Sequence, residues 1–256
     1  MHETAALKFI TPANFNDFTY SKNWHFNYFK INKFDTELFK IEIDPLDCNL
    51  KMYQDLFIYT FIKDNISKGS KILDIGGGHS RILKHFKDDY ECWNLDKFEG
   101  IGNGPTEAEE SDFKIIYDYI GNFNKDIPDD YFDLVFSISS LEHVPQDDVK
   151  NFENIVKDIN RILKPGGYSV HCLDCLWKFT FNMVWANPIT EYFHKYEKTF
   201  NEFIPYMKAA EDPELYSMSE FHYTKSWEFT TGKPFKQFGK PFSYNTLWQK
   251  PTKYSS

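Results

Sequence analysis

Residues 72–80 read Ile-Leu-Asp-Ile-Gly-Gly-Gly-His-Ser, a carboxylate followed closely by three glycines. Glycines let a ligand approach the backbone closely, and a helix opening just after them offers free N–H groups and a partial positive charge. Two further carboxylates are spaced to cooperate with this loop. Asp96 lies 20 residues after Gly76 and suits the two hydroxyls of a ribose. Asp118 suits the amino group of an adenine. Ligands of open parallel sheets bind beyond the carboxyl ends of the strands, so strand-end acids fall on the correct edge. Each of these acids also has a plainer reading as a solvated turn residue.

Groups able to move a proton cluster later in the chain. His143 follows Glu142, and His171 lies three residues before Asp174. Free imidazole titrates near pH ~6.5, which suits general-base work. His143 equally suits a loop-positioning role, and His171 a place buried inside a strand. His194 and His222 are further candidates. Lys178, Lys195 and Lys225 are the cations available if the ligand carries phosphate. Glu191 and His194 share a helical face, but the second histidine of a zinc-binding helix is missing, so no metal is expected. Cys172 and Cys175 alone cannot supply a four-ligand zinc site and read as buried thiols.

These residues need elements to hold them. Met52, Leu56, Tyr59, Phe61 and Ile62 predict a helix over 50–66, ended near Gly69. Strands are expected at 71–75, 91–95, 113–117, 131–137 and 168–173. Helices are expected after the glycines to about Lys87, and over 147–163, where Val149, Phe152, Ile155, Val156, Ile159, Ile162 and Leu163 form an apolar stripe. Alternation of strand and helix indicates an α/β fold with a parallel sheet. Four segments are expected. Residues 1–50 form an aromatic extension or cap and 51–173 the ligand-binding core. Residues 174–225 form a helical lid or substrate wall, and 226–256 a terminal hairpin completing the sheet. The aromatic stretches 177–185 and 216–227 suit a substrate pocket or plain core.

Composition narrows the function. The 256 residues carry a formal charge of −9, which argues against nucleic acid as the main partner. No run approaches the ~18 apolar residues of a membrane span. The first residues lack a basic segment followed by a long apolar one, so no secretory leader is expected and the expected location is cytoplasmic.

The motifs together resemble class I S-adenosylmethionine-dependent methyltransferases. Leu73-Asp-Ile-Gly-Gly-Gly-His-Ser80 is similar to their first motif, with Ser80 in place of the last glycine. Phe132 to Val144, including Glu142-His143, resembles their fourth-strand motif, and Arg161-Ile-Leu-Lys-Pro-Gly-Gly-Tyr168 their approach to the fifth strand. The resemblance covers about residues 70–173. It implies a Rossmann-like, doubly wound, mostly parallel sheet with a C-terminal antiparallel hairpin. Here that sheet would carry a helical lid insertion. It implies S-adenosylmethionine as cofactor, with Asp74 near the methionine ammonium, Gly76, Gly77, Gly78 and Ser80 forming the loop, and Asp96 on the ribose. Asp118 and Tyr119 would flank the adenine, and Ser137 to Ser139 would pass the sulfonium. The catalytic candidates are His143, His171 and Asp174. The acceptor would be a small molecule or a sugar- or phosphate-linked group, methylated at oxygen, as in bacterial surface-polysaccharide or phosphoramidate modification. A non-catalytic cofactor-binding module stays open, as does an NAD-linked oxidoreductase, for which Arg81 occupies the wanted third glycine. Exposed aromatics suit a homodimer interface.

Overall fold

The computed structural model describes residues 10–252. The first nine residues, part of the stretch on which the leader was judged, lie outside the described residues, as do 253–256 at the end of the expected hairpin.

The sheet is built from β1 (Lys71–Ile75), β2 (Glu91–Leu95), β3 (Lys114–Ile116), β4 (Phe132–Ile138), β5 (Leu163–Lys178), β6 (Met183–Trp185) and β7 (Lys240–Gln249). The order is β3-β2-β1-β4-β5, all parallel, with β7 antiparallel along the free side of β5. Order reverses between β1 and β4, so a crevice opens beyond their carboxyl ends. The register sets Asp74 beside Asn94 and Ile75 beside Ser137, bringing the glycine loop next to the turn after β4.

Helices cover both faces. In chain order they are α1 (His25–Ile31), α2 (Phe34–Phe39), α3 (Leu50–Asn65), α4 (Arg81–Phe86), α5 (Val149–Ile162), α6 (Ile189–Tyr196), α7 (Tyr206–Ala210), α8 (Glu220–Thr231) and α9 (Phe235–Phe238). The side chain of Asp148 caps α5 by accepting from Asn151 N at 3.0 Å. Phe152, Ile155, Val156, Ile159 and Ile162 then bury its stripe against one face of the sheet. Val149 stays exposed, so the stripe starts one turn later than its sequence suggests. Helix α3 is buried continuously from Tyr53 to Ile62, so it must be covered on both sides. Ile72, Leu134 and Phe136 of the sheet share one core with its inner side. The aromatic residues before it close the outer side: Phe15 lies 5.8 Å from Phe57 between ring centres, and Phe26 lies 5.8 Å from Tyr53. Each fully buried ring stabilises the fold by about 1.5–3 kcal/mol. The N-terminal segment is further tied to the last strand, where Asn245 N donates to Thr19 O at 2.7 Å.

Three details differ from the sequence reading. The Lys164-Pro-Gly-Gly167 segment lies within β5, as an irregularity between the Phe132–Leu163 and Leu134–Tyr168 pairs. Strand β5 also runs on to Lys178, because β7 pairs with it as far as Trp177 and β6 pairs with Leu176 to Lys178. The antiparallel closure at the end of the chain is thus β7 on β5, while residues 220–231 and 235–238 are helical. Segment 174–225 is mixed, and its helix α6 sits against α5 through Ile189 and Phe193. No helix among the described residues is long and apolar enough to cross a membrane.

Candidate active site

The site begins where β1 runs out. Gly76 adopts φ +66°, and a Cβ there would lie 2.6 Å from Ser140 Cβ, so only glycine lets this loop pass the turn after β4. Gly78 also has positive φ (+52°) and donates its N–H to Asp96 Oδ2 at 2.8 Å. A Cβ on Gly77 would strike the Asp74 carboxylate. Asn94, fully buried on β2, holds the loop from below by donating to Gly78 O at 2.8 Å. Ser80 caps α4 through Leu83 N. Asp74 is 2% exposed, and its Oδ1 has no hydrogen-bond partner. Burial pushes its carboxyl up to about 7, against the opposing hydrogen bond from Ser80.

Asp96 sits on the same edge, as expected. Each of its oxygens accepts one backbone N–H, from Gly78 and from Phe98 (2.6 Å), leaving lone pairs for a diol. Asp118 behaves differently. Its carboxylate accepts from Tyr119 N, Asn122 Nδ2 and Asn124 Nδ2, all within its own turn. Burial alone would raise it, but these bonds outweigh that and hold it below its usual range. Tyr119 reaches across to Glu99 at 2.6 Å. These two residues organise the loop after β3, and Asp118 has few lone pairs left for a ligand.

Between β2 and β3 the chain lies over the crevice as a strap. Pro105 Cδ would be 2.9 Å from a Cβ on Gly78, and a Cβ on Gly102 would lie 2.2 Å from His143 Nε2. The strap's acidic continuation is pinned to the glycine-loop side by ion pairs of Glu109 with Lys84 and of Asp112 with Lys87, and by the contact of Glu109 with His79.

The other half of the site follows β4. Ser139 takes a left-handed conformation (φ +46°) and its N–H bonds Cys172 O. This turns its hydroxyl toward Asp174 Oδ1, 2.7 Å away, which also accepts from Gln54 Nε2 at 2.8 Å. Ser140 Oγ donates to Ile75 O, joining this turn to the end of β1. Next come Glu142 and His143. The Glu142 side chain is 2% exposed and neither carboxylate oxygen has a partner. Burial and the nearby Asp174 hold it well above the usual carboxyl range. Asp174 is itself raised by burial, against the bonds from Ser139 and Gln54. His143 Nε2 lies 3.9 Å from Glu142 Oε1, with 39% of the imidazole exposed. Burial lowers its basicity and favours the neutral ring, and Gly102 packs against Nε2.

His143 and Asp174 therefore meet at this edge, and His171 does not. His171 is fully buried in β5, with Ser137 Oγ and Ser169 Oγ each 2.8 Å from one ring nitrogen. It stacks on Phe193 at 4.8 Å, and burial lowers it to about 3. Ser137 is spent on this core contact, so only its backbone borders the crevice. His194 bonds Thr199 and His222 bonds Asp47. The lysines proposed for an anion also scatter. Lys178 donates to Phe238 O, Lys195 lies over the rings of Tyr192 and Tyr196, and Lys225 pairs with Asp47. Arg81 is taken by Asp55 on α3 and is not a phosphate ligand here. Cys172 and Cys175 are free buried thiols, and among the described residues no three His, Cys, Asp or Glu side chains converge as a metal site.

Three contributors escaped the sequence reading. Gln54 comes from α3, where the polar Gln54-Asp55 pair interrupting an apolar helix was the available signal. Asn94 was visible as a polar residue inside an apolar strand. Asn187, just before α6, donates to Glu142 O and Val144 O at 2.8 Å each and so fixes the turn carrying Glu142 and His143.

The residues fit S-adenosylmethionine. Buried, unpartnered oxygens of Asp74 and Glu142 occur beside the glycine loop and the turn after β4, and Asp96 keeps lone pairs for a ribose. Asp74 would face the ammonium and Asp96 the ribose hydroxyls.

Residues 73–171 match the family described as Methyltransferase domain. Over 108 residues the chain is 31% identical to a sterol 24-C-methyltransferase of Gibberella zeae, covering 40% of this chain and 27% of that protein. A sterol 24-C-methyltransferase of Yarrowia lipolytica is 31% identical over 114 residues, covering 43% and 29%. The chain thus spans less than a third of the length of these curated relatives. Among solved structures, a Haemonchus contortus phosphoethanolamine N-methyltransferase bound to S-adenosylhomocysteine aligns over 94% of this chain and 61% of its own, with 17% identity and a TM-score of 0.48. An Archaeoglobus fulgidus S-adenosylmethionine-dependent methyltransferase aligns over 86% and 99%, with 16% identity and a TM-score of 0.46. The family match falls on the strands and loops that build this crevice, so residues 73–171 are those of a methyltransferase domain.

Proposed function

We propose that the protein transfers a methyl group from S-adenosylmethionine to a hydroxyl of a small, polyhydroxylated acceptor such as a sugar-linked metabolite. The observation that carries this reading is the Glu142 carboxyl, buried with both oxygens unpartnered beside Asp174 and a neutral His143. A buried polar group left unpaired costs about 1–3 kcal/mol or more, so a ligand that bonds it gains that back. Carboxyl groups suit the paired hydroxyls of a sugar. The cofactor supplies an electrophilic methyl on a neutral, good leaving group.

The protein's own residues then have three tasks. His143 accepts the hydroxyl proton as oxygen attacks, and the Glu142 carboxyl, 3.9 Å from Nε2, lies beside the same ring edge. Asp174, held by Ser139 and Gln54, orients the acceptor. Asn187 keeps the turn in place, and the strap excludes water. A phosphate acceptor would need no base but would need cations. The crevice offers mainly carboxyl groups, and Lys178, Lys195 and Lys225 are engaged elsewhere. That favours a neutral acceptor over an anionic one.

The test is methyl transfer from labelled cofactor to a panel of sugar nucleotides and free polyols. His143→Gln should lower kcat about 100- to 10,000-fold while S-adenosylhomocysteine still binds. Full turnover by that variant would remove His143 from the chemistry. Tight nucleoside binding with no turnover on any acceptor would favour the non-catalytic module.

A further inference from the structure

Lys51 stands in the first turn of α3, three residues before Gln54 and four before Asp55. Residues at these spacings share a helix face. Gln54 on that face reaches Asp174 at 2.8 Å, and Asp55 binds Arg81 just after the glycine loop. The face therefore looks into the crevice from above the ends of β1 and β5. The positive charge of Lys51 acts on Asp55, Asp74, Glu142, His143 and Asp174, which come from four different parts of the chain. Yet no acid lies within 4 Å of it as an ion-pair partner among the described residues. Arg81, the next cation at this edge, is already committed to Asp55. Among the described residues Lys51 is thus a cation without an ion-pair partner on the methionine side of a crevice edged by acids, while Lys97 lies on the far side beside Asp96 and Asp118. Beside it, Asp74 is 2% exposed and keeps an unpartnered oxygen.

A ligand that fits both must carry a cation for Asp74 and an anion for Lys51 on neighbouring atoms. The amino-acid end of S-adenosylmethionine is such a group. Resting on the cofactor assigned above, we propose that Lys51 holds the carboxylate of the cofactor's methionyl end, so that α3 selects intact amino-acid nucleosides over truncated ones. Lys51 is a positioning and specificity residue in this scheme and takes no part in the methyl transfer. It sets where the sulfonium lies relative to His143 and discriminates against nucleosides that lack the amino-acid tail.

Two probes separate this from the reading it rests on. S-adenosylhomocysteine carries the carboxylate and ammonium, and 5′-methylthioadenosine lacks both while keeping the adenosine and the thioether. Calorimetric titration of the full chain with each gives a ratio of dissociation constants. The ratio in the unaltered protein should be about 100 or more. In Lys51→Met it should fall by about 10- to 100-fold, through weaker binding of the homocysteine nucleoside alone, since charged hydrogen bonds are worth roughly that factor. Lys51→Arg should restore most of it. Unliganded melting should be the same for all three proteins, which separates lost recognition from lost folding. An unchanged ratio in Lys51→Met overturns the proposal. Failure of both probes to bind the unaltered protein would instead overturn the cofactor assignment in this chain.

Discussion

Replacing Asp74 by Asn should make the unliganded protein more stable at neutral pH, at the expense of ligand binding. The carboxyl's pKa is about 7 in the folded chain against 3.8 ordinarily, and burial is the main cause. The sign follows from linkage. Below pH 3.8 the acid is protonated in both states and costs nothing. Between 3.8 and about 7 the unfolded chain releases its proton first, so this residue's contribution to stability falls as pH rises. Above about 7 the loss is complete. A shift of roughly three pH units at ~1.4 kcal/mol per unit gives a penalty on the order of 4 kcal/mol at pH 8. Asn keeps the shape and cannot ionise, so it escapes the penalty. Denaturant unfolding of both proteins from pH 4 to pH 8 would measure it. Near pH 4 the two should be close, and the advantage of Asp74→Asn should grow to its plateau near pH 7. A pH-independent difference, or a variant less stable at pH 8 than at pH 4 relative to the parent, would refute the reasoning. The same variant should bind S-adenosylhomocysteine about 10- to 100-fold more weakly, because the ligand's ammonium is the counter-charge that Asp74 lacks.

His171→Leu should destabilise the fold by about 2–4 kcal/mol, since two buried serine hydroxyls lose their partner. Turnover per folded molecule should stay within severalfold, as kinetics corrected for active fraction would show. Asn187→Ala should free the Glu142 and Val144 carbonyls and lower kcat by about tenfold or more without changing nucleoside affinity, which paired kinetics and calorimetry would separate.

The cofactor half of the site was legible because its parts are local. A strand, three glycines and a strand-end acid have spacings that the parallel fold converts directly into neighbours, so Asp74 and Asp96 sit where the order of elements implies. Asp118 is less legible for an equally local reason. Asn122 and Asn124 lie within six residues and consume its carboxylate, a turn chemistry present in the sequence. His171 was ambiguous until the register set Ser137 beside it. The acceptor half depends on contacts distant in the chain, such as Gln54 with Asp174 and Asn187 with Glu142, and no periodicity encodes these. The aromatic N-terminal segment reads as a cover, and its purpose emerges only because α3 is buried on two sides.

The strap between β2 and β3 links the two halves in a way that bears on how they fill. Pro105 rests on the glycine loop, and Gly102 rests on His143, only three residues away. A nucleoside that enters beneath Pro105 must displace the same short segment that covers the imidazole. Filling one half therefore lowers the free-energy cost of opening the other. Thermodynamic reciprocity then requires the acceptor to tighten nucleoside binding by the same factor by which the nucleoside tightens acceptor binding. Two sites formed by different strands would then act as one cooperative unit, joined by three residues of backbone.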